Sequence, residues 1–388
     1  MRILFVAGGG LATAYALAPL ATAARNAGHQ VVMAANDDVV PAITGSGLPA
    51  VSVSSAPITR FIYADRFGDP VDIPTDPAGQ VAFTGEWFAR MSAEWLGPLE
   101  RMARVWKPDV VVGGTMSYAA GLLARRLGVP YVRHAWDAID ASGVDEGAVR
   151  ELLPELAELG LDTLPVPEVF IDVCPPALAP DQTLPAGRRV PMRWVPTNGQ
   201  RALEPWMYTR EDRPRVCLTT GSRVRADAPQ GDFRRHGYEL LLAVAEVTRT
   251  LDVDLLVAAP DESALAIGAA LPGVQAGWIP LDVMVGSCDL LIHHGGGTTA
   301  LTGLSAGVPQ VIIPQGAVPG LGAERIARHG AAVCLTASEA ADDPGAVADA
   351  CQEVLKQPSY TERAREAAAQ IAAMSTPSAV VSVLEKLS

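Results

Sequence analysis

Short runs rich in Val, Ile and Leu alternate with helix-length segments along this chain, and the alternation occurs twice. The first series is Arg2–Ala7, Val31–Ala35, Ala50–Val53, Val110–Gly113 and Tyr131–Arg133, with helical patterns between them, including about Ala14–Ala27 and a long one from about Gln80 to Val105. The second series is Arg215–Thr220, Val253–Ala258, Asp289–His293, Gln310–Ile313 and Ala332–Leu335. Strands that are apolar on both faces need cover on both faces, and helices between them supply it, which specifies a parallel sheet. Pro191–Pro214, rich in Pro, Arg and polar residues, reads as a linker between the series. The expectation is an α/β chain of two doubly wound, Rossmann-like domains: 1–195, a linker 196–214, a second domain 215–376, and a closing helix 377–388 whose parent domain the pattern leaves open. No short-period repeat is present. Ligands of such sheets bind beyond the carboxyl ends of the strands. Two domains facing a cleft would therefore hold two substrates, one on each.

Composition narrows the function. The 388 residues carry 30 basic and 43 acidic side chains, a formal charge of −13. That balance argues against a nucleic-acid or anionic-membrane partner, since phosphate neutralisation needs clustered Lys and Arg. Cys174, Cys217, Cys288, Cys334 and Cys351 are scattered and form no C-x-x-C pair. This argues against a structural zinc site or disulfide framework and fits a reducing, cytoplasmic setting. The uncharged stretch from Ile3 to Ala24 admits a signal-peptide reading, with Ala21-Thr22-Ala23 as a cleavage-like site. A single Arg2, three glycines (Gly8, Gly9, Gly10) and Pro19 favour a strand, a glycine turn and a buried helix instead.

The strongest motif is Gly277-Trp278-Ile279-Pro280, then His293-His294-Gly295-Gly296-Gly297-Thr298-Thr299, then Gly307-Val308-Pro309-Gln310. It reads as a strand ending in His294, a glycine turn and a helix beginning near Thr298. Glycines let a ligand approach the backbone, and exposed N–H groups at a helix start favour an anion. The hydroxyls of Thr298 and Thr299 with the His294 imidazole would complete a diphosphate clamp around Gly296, and Trp278 offers a flat face to a nucleobase. The alternative is that the two histidines are structural and the glycines merely turn the chain. A second glycine motif, Gly8-x-Gly10-x-x-Thr13 with Asp37 further on, is a loose dinucleotide fingerprint that lacks its third small residue.

On these residues the chain resembles the family 1, GT-B glycosyltransferases, and more narrowly the urdamycin-type C-glycosyltransferases that place a deoxysugar on aromatic polyketides. Met1–Val6, Leu17–Ala35, Phe88-Ala89-Arg90-Met91, Val112–Tyr118, Glu204–Arg210, Gly221-Ser222-Arg223 and Leu301–Gln310 share the likeness. The resemblance implies a nucleotide-diphosphate sugar on the second domain and an acceptor on the first. Within it, His294 matches a phosphate-contacting histidine, Thr299 the hydroxyl at the helix start, Trp278 with Ile279 the base site, and Ser222 a residue beside the β-phosphate. Departures stand at Thr298, where the common motif has Gly, at Thr302, where many relatives have a ribose-binding Glu, and at Val318-Pro319, where many have Asp-Gln. Together they fit a deoxyribose nucleotide such as dTDP and a sugar with few hydroxyls.

The acceptor side departs as well. Counting back from Arg25-x-Ala27-Gly28-His29, the family's catalytic histidine falls at Thr13. Asp137, in His134–Asp140 after the strand Tyr131–Arg133, is matched in the C-glycosyltransferases, where the position is a proposed base. Its alternative is an N-cap or loop-capping carboxylate; His134 is a second candidate base. Eleven of the 21 aromatic residues lie between Phe61 and Trp136. Of these, Phe61, Tyr63 and Phe67, expected in a Pro/Gly/Asp-rich loop, with Trp87 and Trp136, would line an acceptor site together with Thr13. The expectation is a metal-independent, cofactor-free inverting transferase moving a dTDP-activated deoxysugar to a polycyclic aromatic polyketide, forming a C–C bond. O-glycosylation, a GT-B sugar-nucleotide epimerase and a silent auxiliary partner remain as alternatives.

Overall fold

A computed structural model of the chain describes residues 1–180, 184–210 and 212–387. Glu211 of the expected linker and Ser388 of the expected closing helix lie outside the described residues. The chain forms two compact units, one of Met1–Cys174, Ala179–Gly199 and Ala373 onward, the other of Pro175–Leu178 and Gln200–Ala372.

The first unit holds strands β1 (Arg2–Val6), β2 (Gln30–Asn36), β3 (Ala50–Ser54), β4 (Val110–Gly114), β5 (Tyr131–His134), β6 (Val169–Asp172) and β7 (Arg188–Pro191). They pair in parallel in the order β3-β2-β1-β4-β5-β6-β7. The order reverses between β1 and β4, which opens the sheet's binding crevice at their carboxyl ends. The second unit repeats the plan with β8 (Arg215–Thr219), β9 (Asp254–Ala258), β10 (Gln275–Gly277), β11 (Leu290–His293), β12 (Gln310–Ile312) and β13 (Ala332–Cys334), ordered β10-β9-β8-β11-β12-β13. Alternate residues of its central strands enter opposite cores: Val216, Leu218, Leu290 and Ile292 join one, and Cys217 and Leu291 the other. That two-sided burial is why these strands read as unbroken apolar runs.

The expected strands are present within a residue or two at each end, but β6, β7 and β10 went unpredicted. The two short edge strands β7 and β10 have exposed positions (Arg188, Pro191, Gln275), so no apolar run marks them. The segment Pro191–Pro214 is more than a linker: Met192 bridges to Ser375, and Pro205–Tyr208 is a short helix. The closing helix Pro377–Glu385 belongs to the first unit, where it buries Val380, Val381 and Leu384 and packs on the helix Leu11–Asn26. His29 adds to this anchorage, with Nδ1 3.4 Å from the Met1 amine and Nε2 3.1 Å from Glu385. No helix among the described residues is long and apolar enough to cross a membrane.

Two helices of the first unit cross backbone to backbone. A Cβ at Gly85 in Pro77–Trp106 would lie 1.7 Å from the Val144 carbonyl oxygen, and one at Gly147 in Ser142–Glu151 would lie 1.9 Å from the Ala82 carbonyl oxygen. Gly85→Ala is expected to cost about 3 kcal/mol or more of stability, the upper end of overpacking penalties. At Gly97 on the same long helix a Cβ would lie 3.6 Å from the Arg101 guanidinium. Gly97→Ala should cost much less than Gly85→Ala, its helix-propensity gain of about 0.5–1 kcal/mol being offset by crowding against the ring of Pro98. Urea unfolding of the two variants checks the contrast, and matching midpoints would remove the proposed contact.

Candidate functional site

In the second unit the motif residues gather at the switch point between β8 and β11, where Thr219 pairs with His293. His293 is buried and structural: the Gly295 N–H donates to its Nδ1 at 3.1 Å, and its Nε2–H donates to Gln310 Oε1 at 2.7 Å. Gln310 in turn donates to the Ala300 carbonyl at 3.0 Å. The last residue of Gly-Val-Pro-Gln thus braces the end of β11 against the helix Gly297–Ser305. Gly303 in that helix makes room, since a Cβ there would lie 2.7 Å from the Gln310 amide nitrogen.

His294 turns the other way. Its ring sits between two glycines: a Cβ at Gly221 would lie 2.9 Å from the ring, and one at Gly296 2.6 Å. Gly221 also has φ +92°, which L side chains rarely adopt. The Nδ1 of His294 is buried without a well-formed hydrogen bond among the described residues. Burial first, and the positive charge of Arg223 second, hold the ring at about 4, against a weaker backbone contact at Thr219. A neutral imidazole, the N–H groups at the start of Gly297–Ser305 and the Arg223 guanidinium, which has no carboxylate partner among the described residues, make a site suited to an anion. Arg223 was not singled out in sequence, although it ends the Gly221-Ser222-Arg223 segment.

The remaining donor candidates differ in availability. Ser222, Thr298 and Gly296 are half-buried on the two turns. Thr299 is buried just inside the helix. Thr302 is buried and donates to the Thr298 carbonyl at 2.8 Å, so its hydroxyl serves its own helix. Ile279 lies in the core with Met284 and Leu256 rather than at a surface. Trp278 is half-buried, with the Arg201 guanidinium 5.7 Å from its ring centroid. Of the Val318-Pro319 pair, Pro319 packs on the glycine turn, 3.0 Å from where a Gly295 Cβ would sit.

In the first unit the corresponding edge is formed after β1, β4 and β5. The Thr13 hydroxyl accepts from the Gly8 N–H at 2.9 Å and donates to the Gly10 carbonyl at 2.6 Å. It closes the glycine turn on itself, with its own proton committed to the Gly10 carbonyl. Cβ atoms on this turn would press on Phe88 (Gly8, 3.3 Å) and on Met91 and Ile58 (Gly9, 2.9 and 3.0 Å). Trp87 stacks on Phe88 with centroids 3.7 Å apart, and Trp136 lies 6.1 Å from Phe88. Trp136 is itself buried, its ring 2.1 Å from where a Gly114 Cβ would be, so it fills the space beside that bare backbone.

The aromatic loop needs correcting. Phe61 is only 2% exposed: it sits in the helix Ile58–Tyr63, and the buried Arg90 donates to its carbonyl at 3.0 Å. Tyr63 and Phe67 do reach the surface, 38% and 90% exposed. Phe67 rides a tight turn in which Asp65 accepts from the Phe67 and Asp69 N–H groups at 2.8 and 2.9 Å. Arg66 pins the turn to Glu151 at 2.7 Å and Glu155 at 2.6 Å.

Asp137 is half-buried on the segment between β5 and Ser142–Glu151, and its Oδ1 is 3.5 Å from the Ile139 N–H. It is not the helix N-cap, a position held by Ala141; Asp140 accepts from the Ser142 N–H at 2.9 Å. The ends of the segment are tied together by a bidentate pair, Arg133 to Asp145 at 2.7 Å for both bonds, with Tyr118 donating to Asp145 at 3.0 Å. His134 is fully buried, its Nδ1–H donating to the Ala135 carbonyl at 2.5 Å while Nε2 has no hydrogen-bond partner among the described residues. Burial holds it at about 4.

Erythromycin biosynthesis protein CIII-like domain models match residues 78–221 (N-terminal domain) and 241–387 (C-terminal domain). The chain is 33% identical to the L-demethylnoviosyl transferase of Streptomyces niveus, over 98% of this chain and 96% of that one. Among solved structures, glycosyltransferase SsfS6 of Streptomyces sp. SF2575, complexed with thymidine diphosphate, superposes with a TM-score of 0.86 at 33% identity, covering 100% of this chain and 99% of that one. The spinosyn rhamnosyltransferase SpnG, also complexed with thymidine diphosphate, gives 0.83 at 27% identity over 99% of this chain and 100% of that one.

The buried histidines set a pH dependence. His134 and His293 fall from an ordinary 6.5 to about 4 and about 3, chiefly through burial. A histidine with a depressed folded value contributes its full stability above pH ~6.5 and loses it as the pH falls toward the folded value. Each is expected to cost about 2 kcal/mol at pH 5 relative to neutral pH. Thermal unfolding at pH 7 and pH 5 tests this: His134→Gln should shrink the acid loss by about one histidine's share, and an unchanged loss would discard the assignment.

Proposed function

The chain belongs to the family of inverting GT-B glycosyltransferases built from erythromycin biosynthesis protein CIII-like domains, and on that premise we propose that it moves a deoxyhexose from dTDP to the ring carbon of an aromatic polyketide. What carries this reading is the His294 cradle between Gly221 and Gly296, beside the helix start and Arg223, which has no carboxylate partner among the described residues. It offers neutral and cationic donors to a diphosphate. The thymidine diphosphate in the SsfS6 and SpnG structures supports the choice of nucleotide.

In this reading the second unit holds the donor and the first the acceptor. Asp137 takes the phenolic proton, and electron density moves to the carbon ortho to the oxygen. That carbon attacks the anomeric carbon as the bond to the diphosphate oxygen breaks, inverting the centre. The ring carbon then loses its proton to solvent, which restores the ring as a phenolate, and protonated Asp137 returns its proton to that oxygen. His294, Ser222, Thr299 and the helix N–H groups stabilise the charge that develops on the leaving diphosphate. A phenol titrates near 10, far below an aliphatic alcohol, so a carboxylate base suffices and the histidine that Thr13 replaces is dispensable. The apolar Val318-Pro319 pair suits a sugar with few hydroxyls.

Incubation with dTDP-deoxysugars and phenolic polycycles, followed by acid treatment of the product, tests the bond formed. A C-glycoside survives; release of free sugar would establish O-glycosylation instead. Asp137→Asn keeps the shape but cannot take a proton, and general-base removal costs about 10²–10⁴ in rate. kcat should fall by at least the lower figure with dTDP affinity and thermal stability near wild type. Undiminished turnover would transfer the role to His134 or Asp140.

A further inference from the structure

The stretch that opens the second unit is fastened on both sides of Trp278. Gln200 Nε2 donates to Asp282 Oδ2 at 2.7 Å, and Arg201 grips Asp261 through two bonds of 2.7 and 2.8 Å. Asp261 is the first residue of the helix Asp261–Ala270, where the helix dipole favours a carboxylate. The fork-to-fork geometry leaves the guanidinium little freedom, and its central carbon lies 5.7 Å from the Trp278 ring centroid. Trp278 itself follows β10, its neighbour Ile279 buried in the core, so the indole is held at both ends of its own segment.

We propose that Arg201, clamped by Asp261, is a positioning residue of the nucleobase platform: it holds the plane that the Trp278 indole presents to the base. The proposal rests on Trp278 being the base-stacking residue of the donor site. An aromatic ring attracts a cation over its face, so a guanidinium fixed by Asp261 restrains the tilt of the ring. The base then meets an indole whose orientation is already set. The residues that close this clamp come from the chain immediately after Gly199, where the second unit begins. The ion pair is exposed, 47% and 59% for its two side chains. Exposed pairs contribute little to global stability, so its removal can be read in binding without unfolding the protein.

Titration calorimetry with dTDP and with inorganic pyrophosphate separates the contributions of base and phosphates. Arg201→Ala is expected to weaken dTDP binding about two- to fivefold, the scale of an exposed cation–π contact, with pyrophosphate binding and thermal midpoint unchanged. Asp261→Asn, which keeps one acceptor but loses the charge, should weaken dTDP binding by less. Arg201→Lys should recover only part of the loss, because an ammonium cannot reproduce the fork. Undiminished dTDP affinity in Arg201→Ala would overturn the proposal. Tighter binding would also overturn it, by showing that the guanidinium sits where the base belongs. Equal weakening for dTDP and pyrophosphate would likewise defeat it. A wild-type protein that binds pyrophosphate but not dTDP would instead sink the donor reading, and this proposal with it.

Discussion

The relay from the Gly295 N–H through His293 and Gln310 to the Ala300 carbonyl fixes where β11 ends and where the next helix starts. The placement of His294 and of the N–H groups that open Gly297–Ser305 depends on that junction. With His293 turned inward and fully bonded, the next residue must turn outward, and the glycines on either side let its ring lie against backbone. A misplaced Gln310 would leave a buried imidazole N–H unpaired, at a cost of about 1–3 kcal/mol. The relay is neutral throughout, so it positions a charged site without adding a charge of its own.

The first unit solves a related problem with ions. Arg133 and Asp145 bracket the segment that carries Asp137, and Arg66 and Arg90 converge on Glu151 of the same helix. Breaking one partner of such a buried pair costs far more than the pair contributes as a whole, which makes it a specifying device more than a stabilising one. The backbone contacts at Gly85 and Gly147 bring the helix of Asp145 and Glu151 close enough for both brackets to form. The order of causes runs from two glycines to a helix crossing, and from the crossing to the loop.

Much of the anion-favouring junction was legible because its elements are contiguous: strand end, glycine turn and helix fall within His293–Ser305, and each has a local signature. Arg223 and Arg201 were not legible, since each acts on a residue more than sixty positions away. On the acceptor side, sequence placed the aromatic residues in one region but misjudged Phe61, whose short helix turns it into the core where Arg90 holds its carbonyl. Trp136 is similarly committed to the bare backbone at Gly114. An aromatic ring has the same composition whether it lines a crevice or fills a core, and only its neighbours distinguish the two.

By itself the sequence determined the two parallel sheets, because strands buried on both faces leave short β-branched apolar runs, and helix-length segments between them supply the cover. It determined the anion-favouring turn as well, through glycines and hydroxyls at a helix start. The tertiary structure decided the short edge strands β7 and β10, whose exposed positions leave no apolar run, and the allegiance of the closing helix, whose apolar stripe could be covered by either unit until it met Leu11–Asn26. It also decided the state of each titratable ring. His293 and His294 are adjacent and chemically identical, yet one is bonded on both nitrogens and the other lies against two glycines, and that difference arises from residues brought together only by folding.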